Sequence, residues 1–266
     1  MRRARPLAPL LTTSLLALAA CAGRTRGVEG RVVDHATGRP VSGAVVTLVG
    51  RGWGVSDGQL VWDKERAASA TSDTEGRFRA RVRGDVNVRA EADGYVRYDG
   101  RLDGSRAEVR LLPRRPASPS LVRGQLEVGK RDGVEYGWVL AERRTTAVRD
   151  SADLWPTIGG TAVDPVLVLH APGGVVAIPG TAFGPVSQPM QYVEEAPPRG
   201  YLPSVRVRPG DAGVLVVRAR DGRYAKLAAN PATLGSTREW AAGTGGFLFD
   251  HVYNRDPGRD LVWQKP

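Results

Sequence analysis

The stretch Glu29–Val49 reads EGRVVDHATGRPVSGAVVTLV, and it predicts the fold of the first third of the chain. Apolar residues alternate with polar ones on both sides of a centre rich in turn-forming residues, which indicates two strands joined by a turn. Within that turn, Thr37-Gly38 offers a position that tolerates positive φ. Two later segments, Thr71–Phe78 (TSDTEGRF) and Ala92–Tyr95 (ADGY), add tight turns between further apolar runs. We therefore expect a small β-sandwich.

Taken together, these segments resemble the carboxypeptidase regulatory-like domain. The pattern G-x-V-x-D-x-x-T-G-x-P-V-x-G-A-x-V-x-L begins at Gly30, and the patterns T-S-D-x-x-G-x-F and A-x-G-Y begin at Thr71 and Ala92. The resemblance covers residues 27–113 and implies a seven-stranded, transthyretin-like sandwich of the carbohydrate-binding-like class. It also implies a non-catalytic module of an exported protein, so we expect that the chain is not an enzyme.

The family name suggests metallopeptidase chemistry, but the residues for that chemistry are missing from the sequence. Zinc peptidases need closely spaced His and Glu ligands together with a general base. The three histidines of the chain, His35, His170 and His251, have no His or Glu neighbour at i+3 or i+4. We expect neither a metal nor a cofactor.

Residues 1–20 have the features of an export signal. Three arginines within the first five residues precede an apolar run, Leu7–Ala20. This run is too short to span a bilayer, which takes about 20 residues, and it is typical of a secretory signal. The run ends in LAAC at Leu18–Cys21, and Cys21 is the single cysteine of the chain.

This ending resembles the lipobox of bacterial lipoproteins. The resemblance implies acylation of Cys21, cleavage before it, and a short tether over residues 21–26. An ordinary signal cut near Ala20, with an incidental cysteine after it, is the alternative. Because Ala22 rather than an aspartate follows the cysteine, the resemblance also implies a lipid-anchored location in the cell envelope, at the outer membrane.

The segment 50–69 departs from the family pattern because it is longer than the usual connection. It carries Trp53 and Trp62 on either side of Asp57-Gly58, a pair that predicts an extended hairpin. One hypothesis is a ligand-binding platform, since indole faces bury a large area and stack on sugars. The alternative is a cross-strand aromatic pair that only stiffens the hairpin.

A Pro-rich segment, residues 114–121, predicts an extended linker to a second domain over residues 122–266. Apolar runs predict strands at Leu121–Val128, Tyr136–Leu140, Val166–His170, Val175–Pro179, Val214–Arg220, Arg223–Ala228, Gly246–Val252 and Asp260–Trp263. Pro231–Ala242 has the pattern of a short helix. We expect an all-β chain whose second part is another antiparallel β domain, either a sandwich or a partial barrel.

A further resemblance concerns Val216–Leu227 and Gly246–Tyr253, which are similar to the closing strands of hemophore-like lipoproteins that bind haem. That resemblance nominates His170 and His251 as an axial pair. The alternative is that each histidine is a hydrogen-bonded structural residue at a strand end, because nothing in the spacing brings the two together.

The formal net charge is +10, and all but four of the 38 basic residues are arginines. Such a bias is typical of genome base composition, and arginines scattered along strands without clustered aromatic residues argue against a nucleic-acid partner. A cationic surface does favour acidic glycans. The sequence thus predicts a non-catalytic envelope lipoprotein, held on the membrane through Cys21, whose ligand is a polysaccharide or an envelope protein. A small-ligand, haem-type binder is the alternative.

Overall fold

The computed structural model describes residues 25–51, 54–56, 59–61, 66–102, 104–161, 163–183, 185–207 and 213–264. The chain divides into two compact units, Met1–Pro113 and Arg114–Pro266. The predicted signal, the predicted lipidation site Cys21, and the tryptophans Trp53 and Trp62 lie outside the described residues. Along the described chain, no helix has the length and apolar character needed to cross a membrane.

The described part of the first unit is built from strands. They are β1 (Thr25–Asp34), β2 (Val45–Arg51), β3 (Gly54–Ser56), β4 (Gln59–Val61), β5 (Arg66–Thr71), β6 (Arg77–Arg83), β7 (Asp85–Glu91), β8 (Tyr98–Leu102) and β9 (Arg106–Leu111). Seven of them form two sheets, in the orders β6-β1-β9 and β5-β2-β7-β8. The predicted seven-stranded sandwich is thereby confirmed, and β3 pairs with β4 as the predicted hairpin.

Alternation along the strands decides which side chains enter the core of the sandwich. On β6, Phe78 and Val82 are buried, while the arginines between them are exposed. At Gly30 on β1, an added Cβ would lie 2.4 Å from the Phe78 ring and 2.4 Å from the Ala107 carbonyl oxygen. The first glycine of the family pattern therefore leaves the space that this aromatic ring fills.

The polar residues of the family pattern hold the turns of the sandwich together. The Asp34 carboxylate accepts hydrogen bonds from the backbone N–H of Thr37 at 2.8 Å and from its hydroxyl at 3.0 Å. The Tyr95 hydroxyl donates to the other Asp34 oxygen at 3.0 Å, which joins the A-x-G-Y corner to the first turn. Burial alone would raise the pKa of Asp34, but these hydrogen bonds outweigh it and lower that pKa. These residues stabilise the fold.

The second unit is also mainly strands. They are β10 (Leu121–Arg131), β11 (Val134–Val139), β12 (Arg144–Thr146), β13 (Trp155–Gly160), β14 (Pro165–Pro179), β15 (Leu202–Val207), β16 (Gly213–Arg218), β17 (Tyr224–Ala228), β18 (Ala232–Leu234) and β19 (Gly245–Asn254). The main path runs β12-β11-β10-β19-β17-β16-β14-β13, with β15 paired to β14 and β18 to β19. Neighbouring strands are antiparallel. The predicted second antiparallel β domain is confirmed.

Both faces of this sheet carry a core. The larger core includes Leu126, Val128, Leu167, Leu169, Leu215, Leu227, Phe247 and Phe249. The smaller core includes Met190, Val193, Val214, Val216 and Leu261. Because side chains alternate along a strand, Leu215 and Val216 on β16 point into different cores. Strands buried on both faces read as continuous apolar runs, and GVLVVR on β16 is such a run.

Several predicted elements of the second unit differ from the structure. Val166–His170 and Val175–Pro179 belong to one strand, β14, whose register shifts between His170 and Val175. The predicted strand Asp260–Trp263 is wrong, because Asp260 makes only an isolated bridge to Glu195. The backbone here bonds to the segment around Glu195 instead, because the Leu261 N–H donates to the Glu194 carbonyl at 2.8 Å and the Ala196 N–H donates to the Arg259 carbonyl at 2.7 Å.

The predicted helix Pro231–Ala242 is correct only in its second half. Its first half contributes β18, and a short helix α1 spans Thr237–Ala241. The helix begins where it does because Ser236 and Glu239 form a capping box, each side chain bonding the other residue's backbone N–H.

Candidate functional site

One exposed face of the first unit is rich in arginine. On β6, the sequence RFRARVR alternates, so that Arg77, Arg79, Arg81 and Arg83 all point outward while Phe78 and Val82 are buried. Alternate residues of a strand are about 6.6 Å apart, so these four guanidinium groups form a row along the edge of the sheet. We call the exposed side of β6-β1-β9 the arginine face.

The two neighbouring strands extend this face. Its exposed arginines are Arg31, Arg77, Arg79, Arg81, Arg83, Arg106 and Arg110. The exposed carboxylates on the same strands are Glu29 and Glu108. In register, Glu29 lies between Arg79 on one side and Arg106 on the other. Positive charge therefore exceeds negative charge across the whole arginine face.

The ion pairs of this face are exposed. Arg79 lies 2.5 Å from Glu29, and their side chains are 77% and 59% exposed. Arg110 lies 2.7 Å from Glu108. Exposed ion pairs of this kind contribute about 0–1 kcal/mol to stability. An anionic ligand that binds these arginines more tightly can therefore displace the carboxylate of Glu29 or Glu108. Within the described residues, Arg81 has no ion pair.

The opposite face of the same sandwich has a different charge. Along the outward positions of β7 and β8 lie Asp85, Arg89, Glu91, Asp99 and Arg101. Arg89 donates to Asp99 at 3.1 Å. Positive and negative groups nearly balance along these two strands, so among the described side chains the excess of arginine lies on the arginine face.

The arginine face was missed in the sequence although a signal for it was present. In the sequence the arginines are scattered along predicted strands and are not clustered with aromatic residues. The period of two in Arg77–Arg83 is the signal, since it places every second residue on the same side of a strand. The contributions of β1 and β9 depend on sheet pairing, which the local pattern does not contain.

The structure does not bring the two predicted haem ligands together. His251 on β19 lies directly opposite Gly124, in line with Phe249 and Phe247 on the face of the larger core. His170 on β14 alternates with Leu169 and Ala171, which belong to that same core, so it points to the other side of the sheet. Two imidazoles on opposite sides of one sheet cannot bind the same iron.

Each histidine has its own surroundings. His170 is half-buried, and its Nε2 lies 3.0 Å from the Thr157 hydroxyl oxygen. His251 is only 1% exposed, and its ring packs edge-on against Trp138 with centroids 6.4 Å apart. Burial, together with the positive charge of Arg143, lowers the pKa of His251 to about 4. His251 is therefore a neutral core residue at ordinary pH.

Sequence reasoning also missed a buried lysine, Lys226 on β17. Its side chain has no exposed surface, and Nζ donates to the Val193 carbonyl at 2.7 Å and the Leu261 carbonyl at 2.5 Å. Burial lowers its pKa to about 7, although the carboxylates of Glu194 and Asp260 oppose that shift. No local pattern in the strand sequence YAKLA predicts that its lysine is buried.

The buried groups His251 and Lys226 are each enclosed by other parts of the described chain. Within the described chain, no three His, Cys, Asp or Glu side chains gather in a geometry that could hold a metal ion. Lys226 is enclosed between two chain segments and is bonded to their carbonyl groups. Among the described surfaces of the first unit, the arginine face is the one where positive charge predominates.

One comparison concerns the first unit, and others cover more of the chain. Residues 27–111 match the family model of the carboxypeptidase regulatory-like domain. No curated protein matches the chain. Among solved structures, the chain is similar to the shaft pilin SpaA from Lactobacillus rhamnosus GG, with 18% identity, a TM-score of 0.25, and coverage of 36% of this chain and 49% of the pilin. The chain thus spans about half of that pilin's length.

Two other solved structures are similar over most of the chain. The streptococcal ancillary pilin has 13% identity and a TM-score of 0.22, with coverage of 84% of this chain and 58% of that one. A candidate carbohydrate-binding protein from Bacteroides uniformis has 9% identity and a TM-score of 0.22, with coverage of 83% and 94%. The family match, the signature residues and the seven-stranded sandwich agree: residues 27–111 are a carboxypeptidase regulatory-like domain.

Proposed function

We propose that this protein is a non-catalytic binding module of the cell envelope, that Cys21 anchors it to the membrane, and that its ligand is an acidic polysaccharide. The observation that carries the proposal is the one-sided charge of the first unit. The arginine face collects positive charge on three adjacent strands, whereas the opposite face is nearly balanced. A surface of this kind attracts polyanions and orients them.

The spacing of the face suits an extended, repeating anion. The four arginines of β6 repeat every 6.6 Å or so along one line, and β1 and β9 widen the positive strip. Each guanidinium offers several N–H donors that match carboxylate or sulfate oxygens. A polysaccharide with regularly spaced acidic groups can contact several arginines at once, which raises affinity beyond that of one contact.

The binding test compares the two faces of the sandwich. The protein should be retained by an immobilised polyuronate and not by a neutral glucan, and retention should weaken as salt is raised, since salt screens exposed charges. Substituting Arg79→Gln and Arg81→Gln together should weaken binding about tenfold, because each exposed contact contributes up to about 1 kcal/mol.

The matched control carries Arg89→Gln and Arg101→Gln on the opposite face, with the same loss of charge. If both double variants weaken binding equally, net charge alone attracts the polymer and the arginine face is not the site. Polyuronate binding that ignores salt and both variants would mean that uncharged contacts hold the polymer and would contradict the arginine face as the site. Absence of retention on the polyuronate would favour the other partner class, an envelope protein.

The anchor is tested separately. Cys21→Ser removes the thiol that the lipobox resemblance assigns to acylation. The variant should accumulate as an unprocessed or soluble product and should not incorporate labelled palmitate. A processed variant that stays in the membrane fraction would rule out lipidation at Cys21 while leaving the glycan proposal intact.

A further inference from the structure

An open groove lies beside the arginine face, where the two sheets of the sandwich meet at their edges. β5 is an edge strand of one sheet and β6 is an edge strand of the other. The groove has a volume of about 290 Å³ and is lined by Thr25, Ala67, Ala68, Arg81, Val82 and Arg83. Ligand sites span roughly 300–1,000 Å³, so this groove can hold one small ring and no more.

The polar side of the groove is organised by a hydrogen bond. Arg83 donates from Nε to the Thr25 hydroxyl at 2.6 Å, which orients its guanidinium group, and among the described residues no ion pair engages its terminal N–H groups. The Thr25 hydroxyl, having accepted, keeps its own proton for a further bond. The Arg81 side chain points outward from β6 on the same side as Arg83, and it has no ion pair within the described chain.

The opposite side of the groove is apolar and shallow. Ala68 on β5 is in register with the buried Leu48, so its methyl group points toward the same side as Leu48, whereas Ala67 points to the opposite face of the sheet. This wall of the groove is therefore one methyl group together with the strand backbone, beside the buried Val82. Small side chains let a ligand ring approach the backbone closely. The C–H face of a sugar ring is apolar, so it can pack on this wall. The groove thus combines a narrow apolar wall with two guanidinium groups and a hydroxyl, which are complementary to a ring that bears one anionic group.

We propose that this groove is a subsite for a single anionic sugar unit, with the ring on the Ala67–Ala68 wall and its carboxylate or sulfate on Arg81 and Arg83. The proposal rests on the proposed function, because the sugar is a unit of the acidic polysaccharide. It adds a source of specificity: the row of arginines recognises charge, and the groove recognises the shape of the unit that carries it.

The direct test is an NMR titration of the amide signals of the full chain. D-glucuronate and glucose 6-sulfate are the anionic probes, and D-glucose is the neutral control. The anionic sugars should shift the amides of Thr25, Ala67, Ala68 and residues 81–83, with saturation in the millimolar range, whereas glucose should not. The stronger of the two anionic probes identifies the acidic group. If neither anionic sugar shifts these amides, or if D-glucose shifts them equally, the subsite proposal is wrong.

Variants separate the subsite from the rest of the face. Ala68→Leu fills the groove without changing charge, and it should weaken polyuronate binding at least fivefold while the dependence on salt stays the same. Arg79→Gln, outside the groove, should reduce the salt dependence and leave the glucuronate titration unchanged. Unchanged polymer binding by a folded Ala68→Leu variant would overturn the subsite and leave the arginine face standing. Absence of polymer binding by the unmodified protein would instead overturn the proposed function.

Discussion

In the first unit the charged side chains lie on the outside of the sandwich, whereas the second unit holds a lysine and a histidine inside its packed sheet. Lys226 is 0% exposed and His251 is 1% exposed. The most buried carboxylate described in the first unit is Asp34, which is 9% exposed and accepts hydrogen bonds from Thr37 and Tyr95.

This difference predicts which changes affect each unit most. Surface charge remains hydrated and available, so it suits the binding of a partner and contributes little to stability. A buried ionisable group favours its neutral form, so the stability of the fold comes to depend on pH. We therefore expect the first unit to be sensitive to added volume in its core and the second unit to be sensitive to pH.

The largest effect is expected from Gly30→Val in the first unit. Its Cβ would enter the space of the Phe78 ring and the Ala107 carbonyl oxygen, both 2.4 Å away. Overpacking of a core costs about 1–3 kcal/mol and sometimes more, and a collision with backbone places this variant at about 3 kcal/mol. Urea unfolding measures the loss.

Gly27→Val is the matched control, because it lies on the same strand and an added Cβ there meets nothing within 4 Å. Its free energy of unfolding should change by less than about 0.5 kcal/mol. Equal losses in the two variants would show that strand propensity, and not the packing of Phe78, explains the glycine.

The next effect concerns Lys226 in the second unit. Its pKa is about 7 in the folded protein against an ordinary value of 10.5, so the unfolded chain binds more protons between these values. The free energy of unfolding should therefore rise by about 3 kcal/mol from pH 7 to 9.5 and should be lowest below pH 7. In Lys226→Met this rise should disappear.

The control for this rise is Lys130→Met on β10, which removes a half-buried lysine of the same unit. It should keep the pH dependence of the unmodified protein. If Lys226→Met still gains stability between pH 7 and 9.5, other groups cause the rise. Burial of Lys226 would then not make the second unit more sensitive to pH than the first.

Much of the first unit could be predicted from the sequence because its signals are local. Turn residues such as Asp34 and Gly38 act within a few positions of themselves, and alternation along β6 is visible in the letters. The hydrogen bond from Tyr95 to Asp34 spans 61 positions, yet it was accessible because the family pattern includes both residues.

The second unit was less predictable because its decisive contacts are distant in the chain. Lys226 bonds to carbonyls 33 and 35 positions away, and no local pattern records them. The histidine pair was an open hypothesis because spacing does not state which side of a sheet a residue faces. Register and alternation settle that question: His170 and His251 face opposite sides.

A smaller pH effect is expected from His251. Its pKa is about 4 when folded and 6.5 ordinarily, so the unfolded chain takes up a proton between these values and the folded chain does not. Stability is therefore complete above pH 6.5 and should fall by about 2 kcal/mol on acidification to pH 4.5. His251→Phe should remove this part of the acid sensitivity, as followed by thermal unfolding over that range.

His170→Phe is the companion variant, because His170 is half-buried and its ring contacts the Thr157 hydroxyl. It should leave most of the slope in place. If the two variants flatten the slope equally, burial of His251 in the larger core is not the cause.

The smallest effect is expected in the first unit, from Tyr95→Phe. The substitution removes the hydroxyl that donates to Asp34 at 3.0 Å, and a typical hydrogen bond contributes about 1 kcal/mol. Because the pKa of Asp34 is lowered, its contribution to stability is present above the ordinary value of 3.8 and is lost as pH falls below it. The variant should therefore lose about 1 kcal/mol at pH 7 and less at pH 3, as measured by urea unfolding at both values. The control is Tyr224→Phe, because the described residues offer the Tyr224 hydroxyl no hydrogen bond, and this variant should lose stability at neither pH. If Tyr95→Phe loses the same stability at both pH values, this corner of the sandwich depends on the packing of the Tyr95 ring and not on the Asp34 carboxylate.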